Sequence, residues 1–222
     1  MKNIFEVMQF AMEKHNNSKT PYRKTARGGT QLPYIFHPMS VAQLVWKWGA
    51  GTTENMYASL CHDLVEDCGV TEKELLSVIG PDATARVMRL SFVVPEDQKA
   101  NSKVLKEEYL KTFFCWPKGS ELDRVDVDTS IIKLADRLKN VMDFALTDPV
   151  YALKYFNKAN SLITGLNYDR CMDIQKIYND LTYKDMNTCI EGVKEILSEY
   201  NEDENIDYED KDLSVRDLTA ML

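Results

Sequence analysis

The sequence lacks an excess of positive charge, a long apolar run and any C-x-x-C pair, and each absence excludes a class of protein. Acidic residues outnumber Lys and Arg by 35 to 27, which gives a net charge of -8 over 222 residues. A protein that binds nucleic acid or an anionic membrane surface needs a basic face, so neither partner is expected. No apolar run reaches the roughly 18 residues of a membrane-spanning helix.

Cysteine usage and the first residues both favour the cytoplasm. The five cysteines are odd in number and show no metal-binding spacing, which is typical of reduced thiols in a cytosolic protein. Glu6 and Gln9 interrupt the apolar residues of the first segment. This segment therefore has the pattern of an amphipathic helix and differs from a signal peptide.

Helical periodicity dominates the chain and predicts an all-α fold. The best alternating stretch, "RVDVD", is short. Loops are expected where proline, glycine and charge cluster, at 17–34 and 117–129. Helices are expected at 2–16, from Pro38 to about Trp48, from Thr52 or Thr53 to Gly69, on either side of Gly80–Pro81, and at 98–115, 129–146, about 150–178 and about 182–199.

Composition changes near residue 199. The stretch 199–212 holds eight acidic residues and one lysine, a composition typical of a flexible tail. We therefore expect one domain over residues 1–198, followed by an acidic tail over 199–222. The last ten residues could form a short helix that docks back or meets a partner.

The stretch "SLCHDLVEDCG", residues 59–69, places one histidine and three carboxylates in an otherwise apolar segment: His62, Asp63, Glu66 and Asp67. On one helix, residues three and four apart share a face, so all four would lie together. Neighbouring carboxylates repel one another unless a cation or protons intervene. A bound metal satisfies this condition, and a solvated acidic face is the alternative.

Two more residues could complete a metal site. His37 lies in "PYIFHPMSVAQLV", before a predicted helix, and Asp136 interrupts the apolar run "IIKLADRLKNV". A buried aspartate without a partner is destabilising. The alternatives are a core or capping role for His37 and an ion pair of Asp136 with Lys133, Arg137 or Lys139. Two imidazoles and two carboxylates suit manganese, iron or zinc, and positions left open for water indicate catalysis.

These three blocks, in this order, resemble the HD-domain metal-dependent phosphohydrolases. They are most similar to the hydrolase domain of the RelA/SpoT family and to the small stand-alone alarmone hydrolases. The resemblance covers roughly residues 5–165. It implies an HD-domain helical bundle with a mononuclear site, in which one manganese ion (or iron or zinc) is bound by His37, His62, Asp63 and Asp136.

The same resemblance implies roles for other residues. Glu66 and Asp67 match a pair that orients water and transfers protons. Contacts with the nucleotide are implied for Arg27, Tyr34 and Asn140. The segment before Arg27 is longer than in the family, so Arg23 or Lys24 could replace it, and Lys139 stands where the family usually has histidine.

The implied activity is removal of the 3′-pyrophosphate of (p)ppGpp, which leaves GDP or GTP and pyrophosphate. Two alternatives stay open at this point: an HD phosphohydrolase for another nucleotide, and a nucleotide-binding module without turnover. No counterpart of the synthetase half of the long RelA/SpoT enzymes is expected. The expected partner is a small nucleotide, and the oligomeric state is open.

Overall fold

A computed structural model of the chain describes residues 2–23, 32–94, 96–114 and 123–145, together with Ala152 and Tyr155. These residues form seven α-helices: α1 (Ile4–Asn16), α2 (Phe36–Lys47), α3 (Thr53–Cys61), α4 (Leu64–Cys68), α5 (Glu72–Leu90), α6 (Ser102–Phe114) and α7 (Arg124–Ala145). Within the described ranges, extended pairing is limited to one isolated antiparallel bridge, between Tyr22 and Pro33. The prediction of an all-α fold is confirmed.

Side-chain caps fix the starts of α1 and α5. The Asn3 side chain accepts hydrogen bonds from the first turn of α1 while Glu6 bonds back to Asn3. Thr71 and Glu74 form the same reciprocal capping box at α5, as their spacing predicts. The Glu74 carboxylate also accepts a hydrogen bond from Lys14 Nζ at 2.7 Å. This ion pair joins α1 to α5.

Gly80 bends α5, in agreement with the prediction of two helices that meet at Gly80–Pro81. Its backbone angles, φ 78° and ψ 173°, are not helical. Residues with a side chain are essentially absent from this region of backbone space. Pro81 follows and starts the second half, where its missing N–H has no intrahelical partner to lose.

The start of α2 differs from the prediction by two residues. A turn in which Phe36 N–H donates to Pro33 O (3.1 Å) and His37 N–H to Tyr34 O (2.9 Å) leads directly into the helix. Pro38 is therefore the third helical residue instead of the first. Proline is tolerated throughout the first turn, so its position alone could not fix the boundary.

The start of α7 is also earlier than predicted, at Arg124 instead of residue 129. The Asp123 carboxylate caps this end by accepting a hydrogen bond from Asp126 N–H at 2.8 Å. Asp128, which is buried, accepts a hydrogen bond from Arg86 Nη2 at 2.8 Å. The stretch "RVDVD", the best alternating stretch of the sequence, is therefore helical.

The helix predicted at 98–115 is present with a different first turn. A 3₁₀ helix spans Glu96–Asn101, and α6 continues from it to Phe114. The loop predicted at 17–34 is non-helical wherever it is described, and its two ends pair through Arg23 N–H and Leu32 O at 2.9 Å.

The core lies around α3, which packs against α1, α2, α5 and α7. Fully or almost fully buried apolar side chains from these helices fill it, among them Val41, Val45, Leu60, Leu75, Ile79 and Ile132. This packing brings the start of α2, the end of α3 and the middle of α7 to one place. The functional residues predicted from the sequence lie there.

Several predictions concern residues outside the described ranges. They include Lys24 and Arg27, almost all of the helices predicted at 150–178 and 182–199, the domain boundary at residue 198 and the acidic tail. Among the described helices, none combines the length and the apolar character needed to cross a bilayer.

We expect Gly80→Ala to lower the free energy of unfolding by about 1–3 kcal/mol, because alanine cannot adopt the Gly80 conformation without strain. Urea denaturation followed by circular dichroism measures this change. Gly69→Asn is the matched control, since Gly69 has left-handed helical angles (φ 65°, ψ 25°) that asparagine tolerates. Equal losses in the two variants would contradict the assignment of strain to Gly80.

Candidate active site and metal centre

Four predicted metal ligands converge from three parts of the fold. His37 is the second residue of α2, His62 and Asp63 form the turn between α3 and α4, and Asp136 lies in the middle of α7. Both histidines and Asp136 are buried. Asp63 is partly exposed and opens onto a cleft.

The motif is interrupted where a continuous helix was expected. The helix predicted from Thr52 to Gly69 is split into α3 and α4, with His62 and Asp63 between them. His62 Nδ1 lies 2.8 Å from the carbonyl oxygen of Ser59. In a continuous helix that oxygen would accept from the Asp63 amide, so the imidazole takes the place of a backbone donor.

The atoms that face one another are imidazole nitrogens and carboxylate oxygens. His62 Nε2 lies 3.1 Å from Asp63 Oδ2 and 3.7 Å from Asp136 Oδ1. His37 Nε2 lies 3.2 Å from Asp136 Oδ1 and 3.8 Å from Asp63 Oδ2. One ligand atom each from His37, His62 and Asp63 falls within 4.8 Å of the others. The four side chains thus surround one small volume.

The hydrogen-bonding state of His62 fits metal binding. A carbonyl oxygen can only accept, so His62 Nδ1 carries the hydrogen and donates it to Ser59 O. Nε2 then has a free lone pair, is buried, and makes no hydrogen bond with the described residues. It faces the carboxylate of Asp63, which also only accepts when ionised. A cation between the two groups satisfies both, as neutral imidazole and carboxylate are common metal ligands.

The electrostatics indicate the same requirement. Burial lowers the pKa of His62, but the Asp63 and Asp136 carboxylates outweigh burial and hold that pKa well above its usual value. Burial raises the pKa of Asp63, yet His62 lowers it below its usual range. The cluster therefore demands positive charge at its centre. Its chemistry fits a divalent cation bound in place of a proton.

Neighbouring side chains hold the two aspartates in place. The Tyr34 hydroxyl donates to Asp63 Oδ2 at 3.0 Å. Asn140 Nδ2 donates to Asp136 Oδ1 at 2.6 Å, and Lys133 Nζ lies 3.2 Å from Asp136 Oδ2. Such outer hydrogen bonds fix the orientation of metal ligands and tune their affinity. The ion pair of Asp136 with Lys133, raised above as an alternative to ligation, exists beside the cluster.

A cleft of about 360 Å³ lies above the cluster. The predicted residues that line it are Tyr34, Asp63, Glu66, Asp67, Asp136 and Asn140. Of the four residues expected to share one face, Asp63, Glu66 and Asp67 line the cleft, whereas His62 does not. His37 and His62 lie buried beneath it.

Glu66 and Asp67 differ in their surroundings. Glu66 Oε1 accepts a hydrogen bond from the backbone N–H of Phe92 at 2.8 Å, which ties α4 to the segment after α5. Partial burial and the negative charge of Asp63 raise the pKa of Asp67 above its usual value. Asp67 therefore accepts a proton more readily than an ordinary surface aspartate.

Arg23, among the residues implied for the nucleotide, lies at the site. Its Nη2 atom donates to Asn140 Oδ1 at 2.9 Å and to Asp143 Oδ2 at 2.6 Å. Its guanidinium also lies over the Tyr34 ring, 5.3 Å from the ring centroid. Arg23, one of the alternatives to Arg27 that the sequence left open, therefore lies beside Tyr34 and Asn140; Lys24 and Arg27 lie outside the described residues.

The cleft also contains residues that the sequence analysis did not assign to the site. They are Phe92, Lys106, Tyr109, Leu110, Lys133, Arg137 and Tyr155. Helical spacing could have indicated Lys133 and Arg137 as site residues, because positions 133, 137 and 140 fall on one face of α7. The sequence did not predict that Lys106 of α6 lies beside them, because helix packing determines this contact.

His15, the third histidine, supports Tyr34. The two rings stack with centroids 4.4 Å apart, and His15 Nδ1 lies 3.5 Å from Cys68 Sγ. Burial lowers the pKa of His15 to about 4. A neutral, buried imidazole in this position packs against the ring whose hydroxyl bonds to Asp63.

An all-α domain whose helices enclose a cluster of two histidines and two aspartates under an open cleft is of the HD hydrolase class. The chain is 31% identical over 169 residues to the guanosine-3′,5′-bis(diphosphate) 3′-pyrophosphohydrolase MESH1 of Danio rerio, covering 73% of this chain and 83% of that protein. It is 30% identical over 172 residues to MESH1 of Xenopus tropicalis, with coverage of 73% and 84%. The chain therefore belongs to the family of RelA/SpoT-type alarmone hydrolases.

The fold has a solved counterpart. The structure of a metazoan ortholog of SpoT, which hydrolyses ppGpp, matches 80% of this chain and 94% of its own, with a TM-score of 0.56 at 22% sequence identity. At that identity the match establishes the fold alone. No protein-family model matches the sequence.

We expect Asp63→Ala to lose bound divalent metal and activity together, because the change removes a carboxylate from the centre of the cluster. The measurement is the metal content of purified, manganese-loaded protein after dialysis. Asp67→Ala is the matched control on the same segment, and it should retain metal while turnover falls. One equivalent of tightly held metal in Asp63→Ala would contradict the assignment.

Proposed function

We propose that this protein is a metal-dependent hydrolase that removes the 3′-pyrophosphate of (p)ppGpp-type guanosine nucleotides. The observation that carries the proposal is the convergence of His37, His62, Asp63 and Asp136 around one small volume at the base of a cleft. The named activity of the relatives, 3′-pyrophosphate hydrolysis, supports the choice of substrate.

The proposed ligands are the four residues of this cluster, and the proposed ion is manganese, with iron and zinc as alternatives. Mixed imidazole and carboxylate ligands without thiolate suit all three ions. Such an ion supplies water of lowered pKa at neutral pH and neutralises charge on a phosphate. Metal titration of the purified protein distinguishes the three ions.

Glu66 and Asp67 are proposed to orient the attacking water and to move its proton. The backbone N–H of Phe92 holds Glu66 Oε1 in place, which leaves the other carboxylate oxygen available for a water molecule. Partial burial and the charge of Asp63 raise the pKa of Asp67, which makes its carboxylate a stronger proton acceptor than an ordinary aspartate, as a general base requires. Both side chains line the cleft beside Asp63.

The remaining lining residues suit an anionic nucleotide. Lys106 and Arg137 face the cleft and offer positive charge to phosphate groups in a protein that is acidic overall. Phe92 and Tyr109, whose rings stack at a centroid distance of 5.0 Å, offer flat apolar surface to a base or ribose. Tyr34 and Asn140 line the same cleft, and Arg23 contacts both of them.

The proposed reaction is hydrolysis at the phosphorus atom attached to the ribose 3′ oxygen. A bond forms between the water oxygen and phosphorus while the bond from phosphorus to the 3′ oxygen breaks. The water loses a proton to a carboxylate, and the 3′ oxygen gains one. The products are pyrophosphate and a guanosine 5′-diphosphate or 5′-triphosphate with a free 3′ hydroxyl.

A nucleotide panel tests the proposed function. We expect the manganese-loaded protein to release pyrophosphate from ppGpp and pppGpp, and to leave nucleoside monophosphates and cyclic nucleotides unchanged, as measured by chromatography of the products. Orthophosphate release or ring opening would favour an HD phosphohydrolase for another nucleotide. Tight binding without turnover would favour a nucleotide-binding module.

Glu66→Gln should retain metal and lose about 10²–10⁴-fold in turnover, the usual contribution of a general acid or base. The amide keeps the size of the side chain and the acceptor for Phe92 N–H, so folding should be unaffected. Glu72→Gln is the control, since Glu72 is exposed in the first turn of α5. Turnover of Glu66→Gln at the unsubstituted rate would remove Glu66 from the proposed mechanism.

The cellular setting is proposed on composition alone. Acidic charge and cysteine spacing support a cytoplasmic protein without a nucleic-acid or membrane partner. The division into a hydrolase domain (1–198) and an acidic tail (199–222) is proposed on the same basis. Measurement of activity after removal of residues 199–222 tests whether the tail contributes to turnover.

A further inference from the structure

Asp143, in the last turn of α7, contacts the metal cluster through a chain of side chains. Its Oδ2 atom accepts a hydrogen bond from Arg23 Nη2 at 2.6 Å. Arg23 Nη2 also donates to Asn140 Oδ1 at 2.9 Å. Because Asn140 must present its oxygen to Arg23, its Nδ2 atom is directed the other way, and it donates to Asp136 Oδ1 at 2.6 Å.

This chain determines the position of one proposed ligand. Asn140 holds Asp136 Oδ1, and Lys133 lies 3.2 Å from Asp136 Oδ2. Without Asp143, Arg23 would lose its charged partner and could turn away from Asn140. The amide of Asn140 could then rotate and release Asp136.

Asp143 also faces a second proposed ligand directly. Its Oδ2 atom lies 3.8 Å from His37 Nδ1. That nitrogen is buried and makes no hydrogen bond with the described residues. If His37 binds a cation through Nε2, Nδ1 carries the hydrogen and needs an acceptor, for which metal-binding histidines commonly use a carboxylate. A small shift or one bridging water spans 3.8 Å.

We propose that Asp143 is a positioning residue of the metal centre, acting on Asp136 through Arg23 and Asn140 and on His37 Nδ1 directly. The proposal rests on the metal site of the proposed function. It also adds a role for Asn140, for which the family resemblance implies a nucleotide contact, and for Arg23, a possible replacement for Arg27 in such a contact. Their side chains are engaged with protein partners that lead to the metal ligands.

The ion pair between Arg23 and Asp143 is more sheltered from solvent than an ordinary surface pair. The Arg23 side chain is 14% exposed and that of Asp143 is 39% exposed, and Arg23 also contacts Asn140 and the Tyr34 ring. Because breaking a sheltered ion pair also destabilises the fold, removal of Asp143 should lower the stability of the metal-free protein as well as the affinity for metal. A loss of metal affinity is the effect that distinguishes a positioning residue from a purely structural one.

The test is the dissociation constant of manganese, measured by isothermal titration calorimetry on the full chain. We expect Asp143→Ala and Asp143→Asn to raise this constant by about 10- to 100-fold, the usual effect of losing an outer partner of a metal ligand. Asp143→Glu keeps the charge and should restore part of the affinity. At saturating manganese, the KM for nucleotide should change less than kcat.

Asp126→Asn is the matched control. Asp126 lies in the first turn of the same helix, has 31% side-chain exposure and pairs with Arg89 at 3.7 Å. This change should leave the manganese affinity unaltered. An unaltered affinity in Asp143→Ala, or an effect confined to the thermal midpoint of the metal-free protein, would overturn the proposal.

A double variant separates the two routes. If Asp143 acts partly through Arg23, the loss of affinity in Arg23→Ala/Asp143→Ala should be smaller than the product of the two single losses. Independent, multiplicative losses would overturn the route through Arg23. The measurements of manganese affinity involve no nucleotide, so failure of the proposed substrate in the panel and failure of Asp143 as a positioning residue are distinguishable.

Discussion

The close approach of two imidazole nitrogens and two carboxylates is the constraint on which the rest of the site depends. His62 Nε2 and Asp63 Oδ2 lie 3.1 Å apart, although both atoms are hydrogen-bond acceptors when His62 is neutral. Such an arrangement is stable when positive charge lies between the groups. The hydrogen bonds from Tyr34 and Asn140 to the two aspartates serve to keep this arrangement in one geometry.

Two of the four groups come from the turn between α3 and α4. The backbone of His62 and Asp63 stays in the right-handed helical region there, while the His62 imidazole bonds to the Ser59 carbonyl oxygen. With the helix ended at Cys61, both side chains reach the start of α2 and the middle of α7, while Glu66 and Asp67 stay on the cleft. The proposed metal ligands and the proposed proton-transfer groups are therefore neighbours with different degrees of burial.

Short-range sequence patterns correctly predicted those features of the fold that depend on neighbouring residues. The capping box at Thr71, the interruption at Gly80 and the all-α class depend on short-range patterns, and all are confirmed. The early starts of α2 and α7 were not predicted, because the sequence signals at these two positions do not identify the first helical residue. Pro38 fits any position of a first turn, and the first turns of α7 include Asp128, which pairs with Arg86 of α5 through a tertiary contact.

By itself, the sequence determined which residues could serve as metal ligands, since His37, His62, Asp63 and Asp136 are chemically out of place in apolar segments. Their convergence, the presence of Lys106 and Arg137 at the cleft, and the contacts of Asp143 were decided only by the tertiary structure. The physical reason is that hydrogen bonds between α7 and the segment before α2 join residues more than a hundred positions apart. The spacing of residues along the chain does not predict such contacts, because they form when α2, α3 and α7 bury their apolar faces against one another.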